Sequence, residues 1–596
     1  MKTARRSYMR ETKTGILFLL PGLIPLMVFW MFPVLLSAGL SFTKWDMISP
    51  TIKWVGLKNY VSLLSKASFW RIVKNTFVFS VGSTVPNILL GMILALVLAN
   101  ARRGVGVYRT MMFVPYITPM VAASIIWSWI YDPNSGFFNY LLSLFGLPGL
   151  NWTGSKDTAM LSVIIVTVWK SMGYTMVFYL EAIRKVPASL HDAAVMDGAG
   201  GFQKFWYVTL PMIAPTTFFL LIINTISTMQ AYDQIQVLTS GGPAGATRTL
   251  LYYYYTEAFG SFNTGKASAV AMILVAITVL LSILESAVSR TSIAENKKRM
   301  KGSENMTKSS HMHDRPHVPL RKRIGSAVTH LILTISGLTV AMPFFWMLTN
   351  ALKTKEEIWA RPPKLLPAVA QWINFTDALA DGYLMRYTFN SLFVAIMITA
   401  IVLFNSAMFA YALTHVRMKG KTVFFTAIMV TYIMPTAVTN IPSYVILAKL
   451  GLIDTHVGLI VSSMASIFSI FYFRQMFGQI SPAIVESAKM DGAKHFRILW
   501  SIIAPMSVSS FVTLGIFSFI GSYNSYVWPS LVIKTKSKFL VSQGLQLFFV
   551  AEGAYGMKWG AIMAACTIIV VPLMILFLFC EKYIVAGINS DSAVKE

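Results

Sequence analysis

Twelve apolar stretches of about 20 residues recur along this chain, at roughly 15–42, 75–98, 111–130, 159–181, 212–230, 267–289, 326–350, 390–413, 423–440, 456–473, 506–522 and 559–581. Each is long enough to cross a bilayer as a helix, and in hydrocarbon every backbone amide of such a segment must be satisfied internally. The expectation is an all-α integral membrane protein. Composition agrees: of 596 residues, 55% are hydrophobic and only 12% charged, against about 25% charged in soluble domains. The first run follows MKTARRSYMRETKTG. It is too long for a signal peptide and lacks a small-residue cleavage site, so it is expected to be retained as a helix. Cys566 and Cys580 share one apolar run, which supports neither a disulfide scaffold nor a cysteine zinc site.

The net charge of +26 is spread between the apolar stretches. A nucleic-acid binder gathers such charge on a soluble face, so the partner expected here is the lipid bilayer. Lys and Arg are about twice as dense on the N-terminal side of the alternating loops, which by the positive-inside rule is cytoplasmic. Both termini are expected there, as is residues 290–325, whose polar text NKKRMKGSENMTKSSHMHDRPHVPLRKR reads as a solvated linker between two six-span halves, 1–289 and 326–596. His311, His313 and His317 in the linker lack the carboxylate or cysteine support of a metal site.

The loop after the fourth span carries the same text in both halves. Asp192 to Pro211 reads DAAVMDGAGGFQKFWYVTLP, and Glu486 to Pro505 reads ESAKMDGAKHFRILWSIIAP. At an offset of 294 residues, 8 of 20 positions are identical: Ala194/Ala488, Met196/Met490, Asp197/Asp491, Gly198/Gly492, Ala199/Ala493, Phe202/Phe496, Trp206/Trp500 and Pro211/Pro505. Hydropathy does not require such agreement in a polar loop. The physical expectation is a short helix lying across one face, with Asp192 near its start, where a carboxylate suits the dipole. Small Ala193 and Ala194 allow close approach, and Gly198 stops the helix. Phe202, Phe205 and Trp206 form one apolar stripe, and Pro211 marks where a membrane helix begins. Taken alone, each loop is also explained as a capped turn between spans.

These residues resemble the Glu-Ala-Ala loop of the permease subunits of binding-protein-dependent ABC importers, and the two halves resemble the two permeases of the maltose/oligosaccharide-type family. LTSGGP at 238–243 with Phe259 and Gly265, LGLIDT at 450–455, Trp559 with Gly560, and YIVAGI at 583–588 support the resemblance. Two permeases in one chain depart from the usual separate subunits. The resemblance implies a type I importer-like fold whose loops dock on a dimeric cytoplasmic ABC ATPase. Asp192, Ala193, Ala194, Asp197 and Gly198, with Glu486, Ser487, Ala488, Asp491 and Gly492, would form the two contacts. Asp192 and Glu486 would pair with a cation, Asp192 reaching one methylene less than the family's Glu. An extracytoplasmic solute-binding protein and a carbohydrate substrate are implied as partners, in a bacterial inner membrane. The tail at Ser592 to Lys595 resembles the end of the family's second permease, with Ser592 for its Gly.

Transport needs an energy source. Gly260 to Lys266 reads GSFNTGK, but Ala267 follows where a phosphate loop needs Ser or Thr. No cofactor is expected on this chain, and ATP with magnesium would belong to the partner ATPase; the chain is expected to be no enzyme itself. The alternative is an ion-coupled secondary transporter of 6+6 topology, which usually needs carboxylates at membrane depth. Glu181, Glu285 and Glu581, the acids within the apolar runs, lie near helix ends expected to be cytoplasmic. A channel would show a filter or a charged ring, and neither is present in the text.

Lys170 is the one cation inside an apolar run, within TVWKSMGYTM at 167–176. The resemblance implies that Thr167, Lys170, Ser171 and Tyr174 line a sugar path; neutral oligosaccharide is the default cargo, and the charge of Lys170 offers the alternative of an anionic one such as a uronate or a phosphorylated polyol. The competing expectation is that Lys170 snorkels or pairs with a backbone carbonyl. Gln230, Tyr232, Asp233, Tyr523, Asn524, Tyr526 and Trp528 are further candidates, as gate or receptor contacts or as interfacial anchors.

Overall fold

The computed structural model describes residues 2–101, 103–304, 320–380, 382–432, 434–553 and 558–588. Apart from a hairpin pairing β1 (Thr43–Lys44) with β2 (Lys53–Trp54), its regular structure is helical. The first half contributes α1 (Lys2–Leu26), α2 (Phe32–Leu40), α3 (Ala67–Ala99), α4 (Val105–Ile117), α5 (Met120–Ile130), α6 (Ala159–Arg184), α7 (Ala188–Met196), α8 (Leu210–Met229) and α9 (Thr264–Glu304). The second contributes α10 (Leu320–Asn350), α11 (Tyr383–His415), α12 (Lys421–Tyr432), α13 (Ala437–Lys449), α14 (His456–Ser462), α15 (Ile467–Phe477), α16 (Pro482–Met490), α17 (Val508–Asn524) and α18 (Trp559–Ile588). Among the described residues, eight helices are long and apolar enough to cross a membrane, and three further pairs reach that length across a sharp bend.

The bends are where hydropathy misleads. The stretch expected at 111–130 is α4 and α5, turned by 99°. Pro119 disfavours helical backbone at the residue before it, and Thr118 is extended, with ψ 138. In the second half, α14 and α15 bend by 46° through Ser463–Ser466, where Ser466 caps α15 by accepting the Ser469 N–H at 3.2 Å. The stretch at 423–440 is likewise interrupted between α12 and α13. Pro211 does not start a separate helix. It sits just past a π turn (Phe205–Thr209) that joins Gly201–Lys204 to α8, so the aromatic stripe and the span form one continuous helix from Gly201.

The two halves repeat much of their element order, but where the first half has one helix from Gly201 to Met229 the second has His495–Met506 and Val508–Asn524, bent by 86°. α3 and α11 are 316 residues apart at both ends; α7 and α16, the helices Gly201–Lys204 and His495–Ile498, the π turns Phe205–Thr209 and Leu499–Ile503, and the helices Asp233–Leu238 and Val527–Val532 are all 294 apart. The change of offset marks roughly twenty extra residues between α5 and α6 of the first half. They carry a helix (Phe137–Leu144) bolted by Asn139, which bonds Pro133 O, Leu150 N and O, and Trp152 Nε1. This insert reaches the second half through Phe137 on Trp346 at 5.4 Å.

The halves also exchange their first spans. α1 lies along α11, with Phe18 against Tyr411 at 5.6 Å, and the chain after it meets α13, where Ser443 Oγ donates to Phe29 O. Reciprocally, α10 packs on α4 and α5; Trp346 stacks on Trp129 at 4.8 Å, and Trp169 Nε1 donates to Val340 O at 3.0 Å. In lipid such contacts rest on close packing of small residues more than on the hydrophobic effect. Gly173 of α6 lies so near α4 that a Cβ there would stand 1.8 Å from the Met112 carbonyl oxygen.

Of the expected linker 290–325, the start is helical, because α9 runs to Glu304, and α10 begins at Leu320. Residues 305–319, with His311, His313 and His317, and the tail at 592–595 lie outside the described residues.

Candidate functional site

Two features stand out, a pair of matched loops and a cavity between the halves. In the loops, α7 follows extended Pro187, and α16 has Pro482 in its first turn. Both end alike. Gly198 and Gly492 take φ +76 and +79, Ala199 N donates to Ala194 O at 2.8 Å and Ala493 N to Ala488 O at 3.0 Å, closing each helix in a Schellman turn. α7 buries none of its residues, whereas α16 buries Val485 and Ala488.

The charged residues singled out by sequence are exposed: Asp192, Asp197, Glu486 and Asp491 face solvent, as does Ser487, while Ala193 and Ala194 are half-buried. Asp192 makes no ion pair among the described residues. Glu486 lies 3.6 Å from Arg417, but both are well exposed, and such pairs contribute little. The residues underrated by sequence are the apolar knobs. Met196 is 88% exposed and its counterpart Met490 89%, with Phe202 and Phe496 also exposed. Their identity across the repeat was visible; their exposure was not. Beneath α16, Lys489 is held by Glu11 of α1 at 3.2 Å.

The cavity begins at the α4–α5 break. A helix ending inside a membrane leaves carbonyls that need donors. Lys170 Nζ donates to Pro115 O (3.3 Å), Tyr116 O (3.0 Å) and Thr118 O, and Asn524 Nδ2, from the other half, donates to Ile117 O at 2.9 Å. An ammonium has three protons, and all three are engaged. The carbonyl pairing weighed for Lys170 is therefore what the geometry shows. Around it, Tyr174 stacks on Tyr116 at 4.7 Å, Ser171 accepts from Asn87, and Thr167 accepts from Gln234. Thr167, Lys170 and Ser171 line a cavity of about 290 Å³, and Tyr174 does not.

That cavity adjoins a larger one, about 540 Å³, centred on the second half. The two share Gln230, Asp233, Tyr255, Thr436 and Val527. The larger is rich in hydroxyls, among them Ser462, Ser463 and Ser466 at the α14–α15 break, with Trp30 and Trp528 as aromatic walls. Sequence reasoning missed these serines; the run SSMAS inside an apolar stretch was the available signal. Of the further candidates, Gln230, Asp233, Tyr526 and Trp528 face this cavity and Tyr232 the smaller one, whereas Tyr523 is fully buried and Asn524 serves the α4 end.

Asp233 opens the short helix Asp233–Leu238, between the spans. Burial pushes its carboxyl up to about 7, against the opposing pull of the Lys170 charge. Glu181, by contrast, lies 3.5 Å from Arg184, and Glu285 accepts from Thr225 at 2.8 Å. The GSFNTGK text opens α9 after a turn; its Lys266 is paired with Glu257 at 2.7 Å and Gly265 is pressed on the Thr43 carbonyl, which leaves no phosphate cradle there.

The family described as Binding-protein-dependent transport system inner membrane component matches the chain twice, over residues 76–292 and 381–590. The chain is similar to the Probable ABC transporter permease protein YurN of Bacillus subtilis, 35% identical over 45% of this chain and 93% of that protein. It is similar to the Trehalose/maltose transport system permease protein MalF of Thermococcus litoralis, 32% identical over 48% of this chain and 96% of that protein. With the sn-glycerol-3-phosphate transport system permease protein UgpA of Agrobacterium fabrum it shares 34% identity over 45% of this chain and 92% of that protein. Less than half of this chain thus spans nearly the whole of each relative. It belongs to the family of binding-protein-dependent transport system inner membrane components, and it carries two copies of that family's unit in one polypeptide.

Proposed function

We propose that the chain is the complete membrane pathway of an ATP-driven importer for carbohydrate, with residues 1–289 and 326–596 acting as its two permeases. The observation that carries the substrate class is the joined cavity between the halves. Serine and threonine hydroxyls exchange donor and acceptor roles with sugar hydroxyls, and the rings of Trp30 and Trp528 offer faces for a pyranose. The names of relatives for trehalose/maltose and for glycerol-3-phosphate support small polyhydroxylated cargo.

Energy enters through α7 and α16. The partner is a dimeric cytoplasmic ATPase that holds the ATP and magnesium. Met196 and Met490 fill its two grooves, Asp192 and Glu486 pair with cations at the groove edge, and the glycine turns at Gly198 and Gly492 fix the angle at which each helix is presented. Nucleotide-driven closure of the ATPase draws the two loops together and, through the continuous helix from Gly201 to Met229 and the bent pair His495–Met506 and Val508–Asn524 in the second half, opens the cavity to the opposite face. A solute-binding protein delivers cargo to that face. The loop face is cytoplasmic, as are both termini, in a bacterial inner membrane.

Asp233 is the one observation on the side of an ion-coupled carrier, since it places a carboxylate in the cavity; membership of a binding-protein-dependent family weighs against it. Purification of the tagged chain from its own membranes, followed by mass spectrometry and vesicle uptake, tests the proposal. A stoichiometric ATPase and ATP-dependent sugar uptake are expected. Gradient-driven uptake by the chain alone overturns it.

A further inference from the structure

We propose that Asp233, with Tyr232, Tyr255 and Tyr526 around it, is a cation subsite of the transport path, so that this permease favours sugars bearing an ammonium group and disfavours anionic ones. The inference rests on the carbohydrate reading above and names the substrate class within it.

Among the residues lining the two cavities, Lys170 and Asp233 are the only lysine, arginine or carboxylate side chains. They differ in what they have left to give. Lys170 spends its three N–H donors on the carbonyls of Pro115, Tyr116 and Thr118, and the C-terminal end of α4 offsets part of its charge with about half a unit of negative dipole. Asp233 accepts no hydrogen bond from any described residue. Asp233 is half-buried and feels the Lys170 charge without forming an ion pair with it among the described residues, and a carboxylate set in a cavity with no donor bound to it belongs to function more often than to structure.

Its neighbours fit a cation. Tyr255 and Tyr526 line the larger cavity with it, and Tyr232 and Tyr255 the smaller one. All three phenols lie near enough to feel the Asp233 charge, and Tyr232 meets Tyr255 edge to face at 4.6 Å. An ammonium is attracted both to the carboxylate and to the ring faces. The hydroxyls of Thr436, Ser522 and Ser525, in the same cavity, receive the rest of a sugar. An anionic cargo finds no free donor on Lys170 and a free carboxylate opposite.

The test uses the full chain in lipid nanodiscs and follows quenching of tryptophan fluorescence, since Trp30 and Trp528 line the cavity. The probes are the free-amine dimer of glucosamine, its N-acetylated form and a galacturonate dimer. The amine is expected to bind about tenfold tighter than the acetylated dimer, and the galacturonate weakest. Asp233→Asn brings the amine-to-acetyl ratio to near one, while Asp233→Glu keeps it well above one, which separates loss of charge from loss of fold. Galacturonate binding as tightly as the amine, or a ratio untouched by Asp233→Asn, overturns the inference and leaves the carbohydrate reading standing. Binding of none of the three to the unaltered chain sinks both.

Discussion

Lys170 and Asn524, from opposite halves, divide between them four consecutive carbonyls at the end of α4, Lys170 taking Pro115, Tyr116 and Thr118 and Asn524 taking Ile117. The pair accounts for how a helix stops inside a membrane without stranding its last peptide groups. It also turns an intramembrane cation that looked like a selector into a brace.

Lys170→Met therefore acts on stability. Each buried carbonyl left unpaired costs about 1–3 kcal/mol, so the midpoint of thermal unfolding in detergent is expected to fall by roughly 5 °C or more, with Asn524→Ala falling less. Among molecules that remain folded, the order of preference for cationic, neutral and anionic sugars should stay that of the unaltered chain. A reversal of that order, with an unmoved midpoint, returns Lys170 to the role of selector.

The loop helices are separable from the fold, because their outward residues hold little of it: Asp192, Met196 and Met490 are exposed, and Glu486 meets only an exposed Arg417 among the described ion pairs. Asp192→Lys with Glu486→Lys, or Met196→Ser with Met490→Ser, should reduce the ATPase recovered on affinity purification by about tenfold or more while membrane insertion and unfolding midpoint hold. Undiminished recovery and transport in both double variants would remove the docking role.

Two glycines should respond in opposite ways. At Gly198 a Cβ meets nothing within 4 Å, so Gly198→Ala costs only the left-handed backbone, about 1 kcal/mol. At Gly173 the Cβ would overlap the Met112 carbonyl, and Gly173→Ala should yield little folded protein. Size-exclusion profiles of the two variants compare them directly; equal yields would contradict the close approach of α4 and α6.

Asp233 should lower stability as pH rises. Burial raises its folded value from 3.8 to about 7, so between those values the unfolded chain is ionised while the folded chain holds a proton, and folding is penalised progressively toward pH 7. Asp233→Asn removes that penalty. Its unfolding midpoint is expected above that of the unaltered chain at pH 8, with the gap closing by pH 4. A variant less stable at pH 8 would mean that the carboxylate has a structural partner.

The apolar runs and the loop repeat were legible because each is a property of text: twenty apolar residues need a bilayer, and eight shared positions need a common cause. What escaped was three-dimensional pairing. The run 111–130 reads as one span although Pro119 lies within it, and nothing in composition says that Lys170, some fifty residues on, supplies the donors at the break. The serines at 462–466 are small enough to pass within a hydropathy window, so their convergence into a cavity stayed hidden. The family-like texts prove to be clips. In LGLIDT, Asp454 at φ 59 accepts the Lys534 and Thr535 N–H groups at 2.9 Å and pairs with Lys538 at 3.1 Å. In LTSGGP, Gly241 turns at φ 76 and Tyr252 Oη donates to Ser240 O at 2.8 Å.

The exchange of first spans has a consequence for biosynthesis. α1 finishes at Leu26, but the helix it lies along, α11, does not begin until Tyr383. At ribosomal speeds of about 5–20 residues per second, the first helix waits on the order of 20–70 seconds in the bilayer before its final neighbour exists. During that interval its apolar face is open to lipid, to insertion machinery, or to the α1 of another nascent chain.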